Sequence, residues 1–156
     1  SDDKEMAELI SCDKFYYQKG DNLGDKMYNA LEEVISDSKV ILLGSDIFNL
    51  DKDIIEEAFE KLETHDVVIN PSEDGGYFLI GMKKAIKEVF DLPSYGDSSV
   101  LENLIKVLEK NNLTYYLGRA ALDIDIKEDL LYAETGYKNI KLLKAHIKSA
   151  IYYFNK

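Results

Sequence analysis

Five short apolar runs, spaced by segments of helical period, constrain this chain more than any other feature. They are Lys14-Phe15-Tyr16-Tyr17-Gln18, Lys39-Val40-Ile41-Leu42-Leu43-Gly44, Asp66-Val67-Val68-Ile69-Asn70, Tyr77-Phe78-Leu79-Ile80-Gly81 and Leu113-Thr114-Tyr115-Tyr116-Leu117. The second and third do not alternate apolar with polar residues, so they read as strands covered on both faces. Helices are expected between the runs. One spans Gly24 to Ile35, with Met27, Leu31, Val34 and Ile35 on one face. Another carries Ile54, Ile55, Ala58, Phe59 and Leu62. A helix near Lys83 to Phe90 and one from Ser98 to Lys110 follow, and Asp123-Ile124-Asp125-Ile126 leads into a further helix with Glu128 and Asp129 in its first turn. Strands alternating with helices predict an α/β fold, a mostly parallel sheet with helices on both faces.

The chain has 156 residues, enough for one domain with a sizeable core, and neither a linker nor an internal repeat interrupts it. No run approaches the roughly 18 apolar residues of a membrane span, and the acidic start does not read as a signal peptide. The single cysteine, Cys12, leaves no internal disulfide and no multi-cysteine zinc site, which fits a reducing compartment and a cytoplasmic location. The net charge is −11, and it is unevenly spread. Residues 138–156 hold five lysines and no acid, whereas residues 1–137 stand at −16. That body repels a nucleic-acid backbone, and a phosphate-bearing ligand would need a cation or local donors. The chain's end reads as an extra amphipathic Lys-rich helix over 138–156, with Leu143, Ile147, Ala150, Ile151 and Phe154 on its apolar face.

Polar clusters follow the expected strands, where open α/β sheets place their ligands. They are Gln18 to Gly24, Gly44-Ser45-Asp46, Ser72-Glu73-Asp74-Gly75-Gly76 and Asp123-Ile124-Asp125. Carboxylates held just beyond neighbouring strands can share a hard cation that keeps substrate phosphates as its other ligands. Asp46, Asp123 and Asp125 suit that role, and Mg²⁺ or Mn²⁺ is the expected ion. Each cluster also has a plainer reading. Asp46 could sit in a turn, Asp125 could cap the next helix, Asp-Gly favours a tight turn, and Gly24 could serve helix packing. His65 and His146 lack partners at metal or triad spacing. The tyrosine pairs, among them Tyr115-Tyr116, read as packing on either side of an element.

Four motifs in order, Gln18-x-Gly20-x-x-Leu23-Gly24-x-x-Met27, Leu43-Gly44-Ser45-Asp46, Pro71 through Gly81, and Asp123-Ile124-Asp125-x-x-Glu128-Asp129-Leu130, resemble the radical-SAM/selenodomain-associated transferase family. The likeness covers roughly residues 15–131. That family is similar to nucleotide-diphospho-sugar transferases of the three-layer, Rossmann-like GT-A fold, and more distantly to guanylyltransferases of cofactor synthesis. The resemblance implies a single glycosyltransferase-like domain over 1–156, N-terminally shortened because no strand with a basic phosphate loop precedes Phe15. It also implies a metal at Asp46 with Asp123 or Asp125, and Glu73 or Asp74 orienting an acceptor or taking its proton. Gln18, Gly20, Asp21, Gly24, Ser45, Gly75, Gly76 and Tyr77 would line the substrate pocket. The expected function is metal-dependent transfer from a nucleotide-activated donor, with inactivity of the shortened chain left open. The alternatives are nucleotidyl transfer of the cofactor-guanylyltransferase type, or a non-catalytic module that assembles with a partner or a second copy of itself.

Overall fold

The structure, a computed structural model, describes residues 16–35, 38–44 and 50–120, together with the backbone of 151–154. Helix α1, Leu23–Val34, starts where Asn22 caps it: the Asn22 side chain accepts from the Asp25 N–H at 2.9 Å and donates to the Asp25 carboxylate at 2.8 Å. Its buried face is Gly24, Met27 and Leu31. Strand β1, Val40–Gly44, follows, then helix α2, Lys52–Lys61, capped by the Asp51 carboxylate on the Ile54 N–H. Strands β2, Val67–Pro71, and β3, Tyr77–Met82, form a hairpin. Helix α3, Val100–Lys110, buries Val100, Leu104 and Leu108 at four-residue spacing, and strand β4, Tyr115–Leu117, comes next. Strand β5 is Ile151–Phe154.

The sheet has five strands in the order β4-β2-β3-β1-β5. β1 pairs parallel with β5 and β2 with β4, while β3 runs antiparallel to both of its neighbours. Four of the strands therefore point one way, as a mostly parallel sheet requires. The reversal of β3 follows from its tight turn with β2, which is too short for a crossover. Along β1, Val40 and Leu42 face one core while Ile41 and Leu43 face the other. The first core is closed by α1, α3 and the segment around Val89 and Phe90; the second is closed by α2. Tyr115 packs against the first core and Tyr116 against the second, as the pairing of rings across a strand implies.

Three expectations change. Residues 16–18 are not in a strand; the rest of that run, Lys14 and Phe15, lies outside the described residues. The segment after β3 forms only a 3₁₀ turn, Lys87–Phe90, because Ile86 is extended and the turn drops Val89 and Phe90 together into the core. The helix expected over 138–156 does not reach the end of the chain: Ile151 to Phe154 are extended and pair with Ile41 to Gly44. A β-branched and aromatic run beside an available strand edge gains a full ladder of backbone bonds, which outweighs its helical spacing. Residues 138–150 of that expected helix, and the helix after Asp125, lie outside the described residues. Among the described residues, no helix is long and apolar enough to cross a membrane.

Candidate functional site

Because β1, β2, β4 and β5 are parallel, their carboxyl ends share one edge of the sheet, and the start of the reversed β3 joins them there. Gly44 pairs with Phe154, Ile69 with Leu117 and Pro71 with Tyr77. This edge is where an open α/β sheet offers a ligand site. The acidic turn Ser72 to Gly76 stands on it. Ser72 donates its N–H to the Gly76 carbonyl at 3.1 Å, and the Gly75 N–H donates to the Ser72 carbonyl at 3.2 Å.

The two acids of the turn differ in their surroundings. Asp74 Oδ1 accepts from the Ser72 hydroxyl and from the Gly76 N–H, so this carboxylate holds its own turn in shape. Glu73 is exposed at the tip. Gly75 has φ of +87°, and its carbonyl accepts from the Leu101 N–H at 3.0 Å, which fastens the turn to the first turn of α3. The stretch before α3 is itself rigid: Asp97 accepts from the Ser94 hydroxyl and from both the hydroxyl and the N–H of Ser99. Those donors hold the Asp97 carboxyl below the usual range.

Tyr77 carries the link to α1. Its hydroxyl donates to Met27 Sδ at 3.7 Å, and the Tyr95 hydroxyl beside it donates to the Phe90 carbonyl at 2.9 Å. Burial pushes both tyrosines above their ordinary pKa, so they serve as neutral donors. Gly24 packs against the same Phe90 carbonyl. Two of the sequence motifs therefore meet in space, through Gly24 and Met27 on one side and Tyr77 on the other. The preceding residues turn back along α1 instead: the Lys19 carbonyl accepts from Asn29 Nδ2 at 2.9 Å, and Lys19 pairs with Glu33 at 3.1 Å. Gln18, Gly20 and Asp21 are exposed on this approach. A hollow of about 40 Å³ beside Asn22, Tyr28, Lys87 and Asp91 is too small for a nucleotide.

Ser45, Asp46, Asp123 and Asp125 lie outside the described residues. Among the described residues, no group of three or more His, Cys, Asp or Glu side chains is gathered as a metal would require. Gly44, which directly precedes Ser45 and Asp46, ends β1 on the candidate edge. His65 lies beside Tyr116, with ring centroids 5.8 Å apart, and its Nδ1 is 3.0 Å from the Lys61 carbonyl. One residue on the edge escapes a reading by motif, Asn70; Ser72 stands in the acidic motif. Asn70 and Ser72 are the buried polar residues of the described core, at 2% and 6% exposure. The signal for Asn70 is the amide that ends an otherwise apolar run.

Comparisons with known proteins fit this geometry. Residues 2–97 match the family described as "Uncharacterized protein conserved in bacteria (DUF2064)". The 2-phospho-L-lactate guanylyltransferase of Methanocaldococcus jannaschii is 33% identical over 116 residues, covering 72% of this chain and 50% of that protein. The enzyme of the same name from another Methanocaldococcus species is 34% identical over 116 residues, covering 72% and 49%. This chain thus spans about half the length of these curated relatives. A crystal structure from Desulfovibrio desulfuricans, of a protein assigned as a nucleotide-diphospho-sugar transferase, matches with a TM-score of 0.67 at 25% identity. The match covers 85% of this chain and 65% of that one. The layered sheet described above is similar to that transferase fold.

Proposed function

This chain belongs to the DUF2064 family, and from that premise we propose that it is a transferase acting on a nucleotide-activated donor, with nucleotidyl transfer of the guanylyltransferase type as its reaction. The observation that carries the reading is the acidic turn Ser72 to Gly76, pinned to α3 and standing with the parallel strand ends on one edge. Relatives named as guanylyltransferases favour nucleotidyl over glycosyl transfer, the reaction that the motifs first suggest. Within the family, the four motifs support a place among the radical-SAM/selenodomain-associated transferases. The single cysteine supports a cytoplasmic setting.

In such a transfer an acceptor oxygen attacks the α-phosphorus of a nucleoside triphosphate. The bond to the β-phosphate oxygen breaks, and pyrophosphate leaves. Asp46, two residues beyond Gly44, together with Asp123 or Asp125, would hold Mg²⁺ or Mn²⁺, whose charge offsets that of the leaving diphosphate. Glu73 is the better placed acid for orienting the acceptor, since Asp74 is engaged in its own turn. Gly76 would let the backbone approach the ligand closely, Gly75 and Tyr77 would line the pocket while fastening the turn to α3 and α1, and Ser45 would line the same edge.

Isothermal titration of the chain with GTP and with a nucleoside-diphosphate sugar, each with and without Mn²⁺, tests the donor class. The expected result is metal-dependent binding of GTP with a dissociation constant below about 1 mM, lost in Asp46→Ala. Absence of heat from both nucleotides at millimolar concentration would overturn the reading.

A further inference from the structure

Asn70 closes the buried run of β2 with a side chain 2% exposed, and a buried amide needs partners. Its Nδ2 donates to the Arg119 carbonyl at 3.0 Å, while the Gly118 N–H donates to the Ile69 carbonyl at 2.8 Å. A Cβ at position 118 would stand 2.4 Å from Asn70 Nδ2, so glycine is what permits the approach. The peptide leaving β4 is therefore held at two consecutive residues, and Arg119 departs from the candidate edge at a fixed place.

Arg119 is the sole arginine of the sequence. Among the described residues just beyond the strand ends on this edge, 72–76 and 118–120, it is also the one cation; the others that carry charge are Glu73 and Asp74. Its side chain is 58% exposed, and its ion pair is a single contact of 3.6 Å from Nε to Glu57 Oε2. The other oxygen of Glu57 accepts from the Tyr116 hydroxyl at 2.7 Å, which keeps that carboxylate directed at β4. Among the described residues the guanidinium is approached at Nε, which leaves the paired Nη donors that match a phosphate bidentately. In a chain of net charge −11, a polyphosphate reaching this edge needs such a donor.

We propose that Arg119, positioned by Asn70 and Gly118, binds a phosphate of the donor's polyphosphate; the assignment rests on the nucleotide-donor reading above. The test is titration of the full chain with GTP and with inorganic pyrophosphate in the presence of Mg²⁺, using the wild type, Arg119→Ala, Arg119→Lys and Glu57→Gln. Circular dichroism first establishes that each variant is folded. Arg119→Ala is expected to weaken both ligands by about 10- to 100-fold, and Arg119→Lys by less, since it keeps the charge without the fork. Glu57→Gln is expected to leave affinity unchanged or improve it, because it removes a competing carboxylate. Folded Arg119→Ala that binds GTP like the wild type overturns the inference and leaves the donor reading standing. An equal loss in Glu57→Gln also overturns it, since the ion pair alone would then matter. Binding of pyrophosphate through Arg119 without binding of GTP supports the inference and overturns the donor reading. Binding of neither ligand by the wild type overturns both.

Discussion

At Gly75 a methyl group would stand 2.3 Å from the Ser98 carbonyl oxygen, and the backbone there has φ of +87°. Gly96 offers a natural comparison, with φ of +90° and nothing within 4 Å of a Cβ. Both substitutions to alanine place an L-residue where it is disfavoured, but only Gly75→Ala also drives backbone into backbone. The expected loss of unfolding free energy in urea is about 1 kcal/mol for Gly96→Ala and about 2–4 kcal/mol for Gly75→Ala. Equal effects would show that the turn is not pressed against α3. The sequence made Gly75 legible as a turn residue through the Asp-Gly pair. It could not reveal Ser98 as the neighbour, because that contact spans more than twenty residues and depends on where α3 begins. Asn70 was harder still. One amide at the end of an apolar run looks like a strand terminus until Arg119 is found accepting its hydrogen bond.

Among the elements, β4 is short and is paired to β2 on one side. Its entry is reinforced by Asp66, whose Oδ2 accepts from the Thr114 N–H at 2.9 Å and from the Thr114 hydroxyl at 2.6 Å. These bonds, the hydroxyl foremost, lower the Asp66 pKa in the folded chain. The stabilisation is then fully present above the ordinary aspartate value of about 3.9 and is lost as pH falls through the lower folded value. Asp66→Ala should cost about 1 kcal/mol at pH 7, the bonds being mostly solvent-exposed, and the gap to wild type should close between about pH 4 and the acid limit. Denaturant midpoints across that range check both sign and window; a gap that widened in acid would contradict the assignment. Strands buried on both faces were plain in the sequence because a run such as Val40 to Leu43 has no polar face to expose. Direction and edge pairing were not. The reversal of β3 depends on a turn of a few residues, and β5 hides in a stretch whose apolar spacing also suits a helix. The 3₁₀ turn at Lys87 to Phe90 was likewise masked, since adjacent apolar residues fit one turn of either helix type.

For the molecule as a whole, the parallel strands and the reversed β3 bring sequence motifs to one edge that are separated by about fifty residues along the chain. The net charge of −11 bears on that edge directly, because Glu73 and Asp74 are there and Arg119 is the one cation among the described residues just beyond its strand ends. In the proposed reading, the charge of a triphosphate at this edge would be met by a metal held at Asp46 with Asp123 or Asp125 and by the Arg119 guanidinium. Layering, the likeness to nucleotide-diphospho-sugar transferases and the acidic turn could be read from the sequence, since each rests on local pattern. The meeting of Tyr77 with Met27, and the clamp that sets Arg119, required the packed sheet. The most direct measurement of the central claim is product analysis by phosphorus NMR, with the chain supplied with Mg²⁺, GTP and a phosphorylated hydroxy acid as acceptor. Nucleotidyl transfer predicts a new diphosphate bridge joining the guanosine α-phosphate to the acceptor's phosphate, together with free pyrophosphate. The contradicting result is no pyrophosphate from GTP while a nucleoside-diphosphate sugar is turned over to free nucleoside diphosphate, which would make the reaction glycosyl transfer.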